Sequence, residues 1–389
     1  MLIYILSFFV SCSLIYAAEK IDMRIIRLSL LVIAIIIPAF LAGFRNLSIG
    51  TDVMNYVQPM YLSANVSRNF FSYLQVPILH DYMFVPISTF EVGYTALVFI
   101  CTKIFGNIFS VLFLTQVLII GGVLAGLWKF REKISVWIGM LIYYLIFYNI
   151  SLNMVRQSIA MSIIIFAFPY LYNKEYIKYI ILIVIAVLFH KTAIIGLIIM
   201  AIYFIYTSDN NMECIKVWKG ALLSYNKNNF RFIIMTLISF CIVFIPQLLK
   251  ITLKVLGVSS YADGYINGNA SFSLNQIIMR IPLLLIFFIC YRKISNNKLK
   301  LFFFSMIVCD LVSSQLASTS AFASRISLYF MIFYVYIIPY CLNQESIYIK
   351  NVLILFLIMY LLGYWYYNFV YLGYNETIPY VISSNFNLD

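Results

Sequence analysis

Twelve apolar runs follow one another along the chain, at about residues 2–18, 25–43, 108–128, 134–149, 157–172, 178–190, 192–206, 232–249, 277–291, 299–316, 326–341 and 351–371, and a shorter thirteenth covers 91–105. A helix needs about 20 apolar residues to cross the hydrocarbon core of a bilayer. Little chain is left between these runs, so most of it must lie in lipid. Only helices and closed barrels satisfy their backbone hydrogen bonds there, and long runs that do not alternate in polarity are helices. The expected fold is therefore all-α: one polytopic integral membrane bundle over residues 1–389, with about twelve transmembrane helices and one re-entrant or interfacial segment. With 64% of its residues apolar and 10% charged, the chain cannot be a soluble enzyme, a disulfide-stapled secreted module or a disordered protein.

The formal charge of +12 is read as the positive-inside signal of a membrane protein, so no nucleic-acid partner is expected. Lys20, Arg24 and Arg27; Lys129, Arg131 and Lys133; Lys174 and Lys178; Lys216, Lys219, Lys227 and Arg231; Arg292, Lys293, Lys298 and Lys300; and Lys350 mark six cytoplasmic connections. If Arg24 and Lys129 share a side, an even number of crossings separates them, yet three runs lie between; the shortest, 91–105, with Glu91 at one end and Lys103 near the other, is read as re-entrant or interfacial, the alternative being that it crosses and another segment in 70–88 restores the parity. Both termini then face outward. The two large outer loops, about 44–90 and 250–276, are expected to be lids or surface helices. The first run lacks a basic leader region and is read as a retained helix. Seven cysteines stand singly, without metal-ligand spacing, so no metal or cofactor is expected.

Nine of the 26 cationic residues fall on the outer side, and five of these are arginines: Arg45, Arg68, Arg156, Arg280 and Arg325. A guanidinium offers a rigid fork of donors suited to phosphate, so such a set suits a pyrophosphate held at the membrane surface. Membrane anchoring or an ion pair, for instance between Arg45 and Asp52, is the bland alternative. In NMVRQSIA, Asn153 is placed to cap the following helix, while Arg156 and Gln157 sit in its first turn. A cation at that positive end is unfavourable unless an anion is present, which makes Arg156 the leading anion ligand. His190 lies between two short runs on the same outer side and is a candidate base. Asp310, inside an apolar run, must face protein or water, and Ser313, Ser314 and Gln315 extend its polar stripe toward Arg325. Asp263 and Glu91 complete the outer acids, and the Gly122, Gly126 pair reads as helix packing.

Taken in order, FRNLSIGTDVMNY (44–56), FEVGYTALVFI (90–100), NMVRQSIAMSI (153–163), LFHKTAIIGL (188–197) and ASRISLYF (323–330) resemble the EpsG-like branch of Wzy-type polysaccharide polymerases. The resemblance runs from about residue 40 to 330. It implies an inner-membrane glycosyltransferase, with a GT-C-like bundle as one candidate arrangement. Such an enzyme joins oligosaccharide repeat units of O-antigen type, carried on undecaprenyl pyrophosphate, at the periplasmic face. A chain-length regulator and a flippase would be its partners. The residues carried over are Arg45, Gly50, Asp52, Glu91, Arg156, Gln157, His190 and Arg325, while the usual Glu-Pro-Gly-like element here reads Glu91-Val92-Gly93, without the proline. The expected base is His190, Asp52 or Asp263; the expected pyrophosphate or glycan contacts are Arg45, Arg156, Gln157, Arg280, Arg325, Glu91 and Asp310. A ligase of finished glycans would use much the same chemistry. A flippase would show pseudo-symmetric halves and midplane charges, which this chain lacks. A membrane acyltransferase would give its His an acidic or polar partner, and sequence places none near His190 or His80.

Overall fold

The computed structural model describes residues 1–80, 83–207, 273–315 and 321–383, without the side chains of 207 and 321–324. It is an all-α polytopic membrane protein. Among the described residues, seven helices are long and apolar enough to cross a membrane: Leu2–Lys20, Arg24–Phe44, Ile108–Lys129, Val136–Asn153, Val155–Tyr172, Arg325–Leu342 and Ile347–Tyr371. Three apolar helices are shorter, Val92–Phe105, Tyr176–Phe189 and Lys191–Tyr206. The run at 299–316 becomes Asn297–Ser314, which carries Lys298, Lys300 and Asp310 and so falls short of a plain membrane span. The run expected at 232–249 lies outside the described residues.

The chain forms two compact units, Met1–Gly196 with Tyr334–Asp389, and Leu197–Phe333. In the first, α1 (Leu2–Lys20) packs on α2 (Arg24–Phe44). Pro38 inside α2 cannot donate to the carbonyl of Ala34, and the Ser11 hydroxyl of α1 donates to that oxygen at 2.7 Å. Tyr336 does the same for Ile165, the carbonyl freed by Pro169, at 2.8 Å. In lipid such a carbonyl has no water to turn to, so these two side chains let prolines sit in membrane helices.

The loop after α2 holds a π-helical turn (Val53–Val57), then α3 (Gln58–Val66) and α4 (Phe70–Leu74). A small antiparallel hairpin follows, β1 (Pro77–His80) and β2 (Met83–Pro86), in the register Pro77↔Pro86 to His80↔Met83. Next come α5 (Val92–Phe105) and α6 (Ile108–Lys129). The span Val136–Asn153 consists of α7 (Val136–Ile142), a π-helical stretch (Tyr143–Tyr148) and α8 (Asn149–Asn153). Then follow α9 (Val155–Tyr172), α10 (Tyr176–Phe189) and α11 (Ile195–Thr207). Gly122 and Gly126 bring α6 onto α9: a Cβ on either would lie 2.9 Å from Ser162 Oγ or 2.6 Å from the Ile165 carbonyl.

The basic connections gather at one end of this unit. Glu19 accepts from the Val136 amide, Ser135 donates to Asn343, and Asn343 Nδ2 donates to the Lys133 carbonyl. Phe44, Asp52, Glu91, Asn153 and His190 lie at the other. Both ends of α5 are at that second end. Glu91 precedes α5 and bonds His190, whereas Gly106 closes it in the left-handed conformation and hands over to Asn107, the N-cap of α6, two residues before Phe109, whose ring lies tilted against Phe44 with centroids 4.6 Å apart. At 14 residues, α5 is about 21 Å long, less than a bilayer core of about 30 Å. A segment that starts and finishes at one end matches the expectation of a re-entrant or interfacial segment at 91–105.

The second unit takes α11 from Leu197 onward and contains α12 (Leu274–Ile278), α13 (Ile281–Cys290), α14 (Asn297–Ser314) and α15 (Ala321–Met331). The chain continues through α16 (Tyr334–Leu342) and α17 (Ile347–Trp365) in the first unit.

Candidate functional site

Three helix ends converge where α5 and α9 start and α10 finishes. Gly93, in the first turn of α5, rests on the end of α10 so closely that a Cβ there would lie 2.7 Å from the Leu188 carbonyl. That contact sets Glu91 beside the chain reversal at His190. Glu91 Oε1 meets His190 Nδ1 at 3.2 Å and the Lys191 amide at 3.3 Å, while Oε2 accepts from Arg156 Nη1 at 2.5 Å. Arg156 projects from the first turn of α9, where the helix dipole opposes a cation. The required anion is therefore supplied by the protein itself. The guanidinium carbon also lies 4.5 Å from the Tyr56 ring centroid and 5.0 Å from that of Phe90, within range of cation–π attraction.

Behind Arg156, the Tyr56 hydroxyl donates to Asp52 Oδ2 at 2.5 Å. The loop that carries Asp52 is pinned to the end of α8. Gly50 has φ +85° and lies so near the Leu152 carbonyl that a Cβ would stand 2.5 Å from it, a position open to glycine alone. Asn153 Oδ1 accepts from Thr51 Oγ1 at 2.9 Å and from the Asp52 amide at 3.1 Å, and its Nδ2 donates to Asn375 at 3.1 Å. Asn153 is thus not the cap of α9, as local sequence suggests; Met154 holds that position without a side-chain cap. The hydrogen bonds offered by the Gly50–Asp52 turn outweigh the single capping bond.

Burial raises the Glu91 carboxyl, but the His190 hydrogen bond and the Arg156 charge outweigh it and hold the group at about 2. Glu91 is then ionised and can only accept. Facing an ionised carboxylate, His190 Nδ1 donates and Glu91 Oε1 accepts, so the hydrogen bond fixes the ring and turns Nε2 away from Glu91. A depressed carboxyl stabilises the fold fully above its unfolded value of about 4.3, and that stabilisation fades as pH falls toward the folded value. We expect the gap in unfolding midpoint between the native chain and Glu91→Gln, measured in detergent, to shrink as pH falls below about 4.3. A gap that narrows near neutral pH instead would mean that Glu91 is not held ionised.

Of the residues singled out in sequence, Asp52, Glu91, Arg156 and His190 come together here, with buried Gln157 beside Arg156. Arg45 is buried at the end of α2 and forms no ion pair with Asp52. Arg280 and Asp310 belong to the second unit, where Nε and Nη2 of Arg280 fork onto the two carboxylate oxygens at 2.7 and 2.9 Å. Arg280 Nη1 is taken by Gln276, so this guanidinium is committed to protein partners. Arg325 lies in the second unit, and Asp263 lies outside the described residues. Sequence reading missed Tyr56, Phe90 and Tyr94. The i,i+4 spacing of Asp52 and Tyr56 was a usable signal for the first; nothing local marks the rings as an arginine seat. His80 also belongs to this neighbourhood, its ring 5.1 Å from Phe90.

The family profile of EpsG proteins matches residues 28–382. No curated protein and no solved structure is significantly similar to the chain. The match spans nearly the whole chain, including all four motifs that meet in this cluster, and the polytopic helical fold agrees with it: the protein belongs to the EpsG family, with a polysaccharide-polymerase-like role in the membrane.

Proposed function

We propose that the protein is a glycosyltransferase that polymerises surface polysaccharide of O-antigen type. It transfers a glycan from undecaprenyl pyrophosphate to the end of a second lipid-linked repeat unit, at the periplasmic face of the inner membrane. The observation that carries this reading is Glu91, which bridges His190 and Arg156 at the end of the unit away from the basic connections. His190 Nε2 accepts the proton of the acceptor hydroxyl as its oxygen attacks the anomeric carbon. The bond from that carbon to the pyrophosphate oxygen breaks, and undecaprenyl pyrophosphate leaves with the electron pair. Glu91 fixes the imidazole orientation and balances the imidazolium that forms. Fixed cationic groups near the leaving phosphate lower the barrier further. A flippase that supplies the repeat units and a regulator of chain length are the partners this reaction calls for.

The test is deletion of the gene in its host, followed by gel analysis of surface glycan. Lipid core bearing one repeat unit is the expected result. Loss of every repeat would overturn the reading in favour of a flippase or ligase, and an unchanged ladder would remove it altogether.

A further inference from the structure

Beyond α17 the chain returns to the end of the first unit where Phe44 and Asn153 lie, and amide side chains of α8 tie it down there. Asn149 and Asn153 stand four residues apart, on one face of that short helix. Asn149 Nδ2 donates to Thr377 Oγ1 at 2.8 Å, and its Oδ1 accepts from the Trp365 indole at 2.7 Å. Asn153 Nδ2 donates to Asn375 Oδ1 at 3.1 Å, and its Oδ1 accepts from Thr51 Oγ1 and the Asp52 amide. The Tyr4 hydroxyl adds a bond to the Thr377 carbonyl at 3.0 Å. Asn375 and Glu376 lie in the left-handed region, at φ +66° and +50°. That conformation costs any residue with a side chain and persists where its surroundings hold it; asparagine tolerates it better than most.

A primary amide accepts at one end and donates at the other, and its partners decide which end faces which way. The Asp52 N–H can only donate, so the atom of Asn153 that meets it must be Oδ1. Nδ2 then points to Asn375, where an acceptor is required, and Asn375 Oδ1 supplies it. Turned end for end, the Asn153 amide would set a donor against the Asp52 N–H. We infer that Asn375 is a positioning residue of the site: by accepting from Asn153 it fixes the amide that holds the Gly50–Asp52 turn, and with it Asp52. The effect passes on, because Asp52 accepts from Tyr56, whose ring seats Arg156, which in turn binds Glu91. The consequence for elongation rests on the polymerase reading; the local effect on the turn does not.

Purified full-length protein in nanodiscs is followed by hydrogen exchange over the peptide 46–57, and the same variants are assayed for surface glycan in the host. Asn375→Gly removes the acceptor but suits a φ of +66°, so a loss in this variant does not come from backbone strain. Exchange at the Asp52 amide should quicken about fivefold, the equivalent of one net hydrogen bond, and the ladder should shorten at normal protein level. Asn375→Asp keeps an acceptor at the same reach, so both readouts should return to near their native values. Native exchange in Asn375→Gly, or equal quickening in Asn375→Asp, overturns the positioning role. Should Asn375→Gly fail to accumulate, Asn375→Ala takes its place; the same quickening is expected, and native exchange in it overturns the role as well. Quickened exchange with a native ladder, in a host whose ladder needs this gene, overturns the link to elongation and leaves the polymerase assignment standing. A ladder that does not need the gene removes that assignment and leaves the exchange result intact.

Discussion

With alanine at His190, long-chain surface glycan should disappear while the protein still accumulates in the membrane. General-base contributions run to about 10²–10⁴-fold, so elongation should fall by at least about 100-fold and leave mostly single repeat units on the gel. His190 is 13% exposed and its Nδ1 is taken by Glu91, so its loss removes a reactive nitrogen from a rim position without hollowing the bundle. Glu91→Gln should be milder in elongation than His190→Ala, because an amide can still accept from Nδ1 but cannot balance an imidazolium. An undiminished ladder from His190→Ala, at normal protein level, would transfer the role of base to Asp52 or to a residue outside the described segments.

The second large effect is expected at Arg156, and it is one of stability. Arg156→Ala leaves the Glu91 carboxylate, 8% exposed, with His190 and one amide as its remaining partners. Removing one member of a buried pair costs about 3–5 kcal/mol, and the remaining partners should bring this toward the lower figure. Arg156→Lys keeps the charge but loses the flat seat between Tyr56 and Phe90, so it should recover only part of the loss. Adding Glu91→Gln to Arg156→Ala should restore stability, with a coupling of about 1–3 kcal/mol in a double-mutant cycle. Additive effects would mean that the pair is not energetically linked.

The helical runs were legible because lipid leaves a backbone no alternative, so hydrophobic length alone reports them. Their number was not. Asn297–Ser314 mixes Lys298, Lys300 and Asp310 into an apolar helix, and Tyr176–Phe189 and Lys191–Tyr206 have the composition of a span but not the length. At the site, the misfit of Arg156 with its helix dipole announced an anion, yet the sequence pointed to a ligand. The anion is Glu91, 65 positions away. The same holds for His190, whose acidic partner stands 99 positions upstream, so sequence gave it none. Asn153 shows the reverse error: the residue type fits a capping rule of short range, but a turn 101 positions away offers it more bonds. Arg280 and Asp310 were each noticed as unusual, and only their juxtaposition reveals that they answer one another.

The π-helical stretch Tyr143–Tyr148 acts as a phase shifter within one membrane helix. One residue added to a turn rotates everything downstream by about 100°, the angular step of an α-helix. Upstream, α7 presents Gly139 to the Val335 carbonyl, a contact so tight that a Cβ would stand 2.7 Å from it. Downstream, Asn149 takes the Trp365 indole and Thr377, and Asn153 takes the Gly50–Asp52 turn. The extra residue therefore sets the angle between the two halves of the span. Substitutions that retune the packing of α7 leave the heading of Asn153 untouched, whereas deletion of a single residue between 143 and 148 would swing both asparagines off their partners without changing any residue that contacts the site.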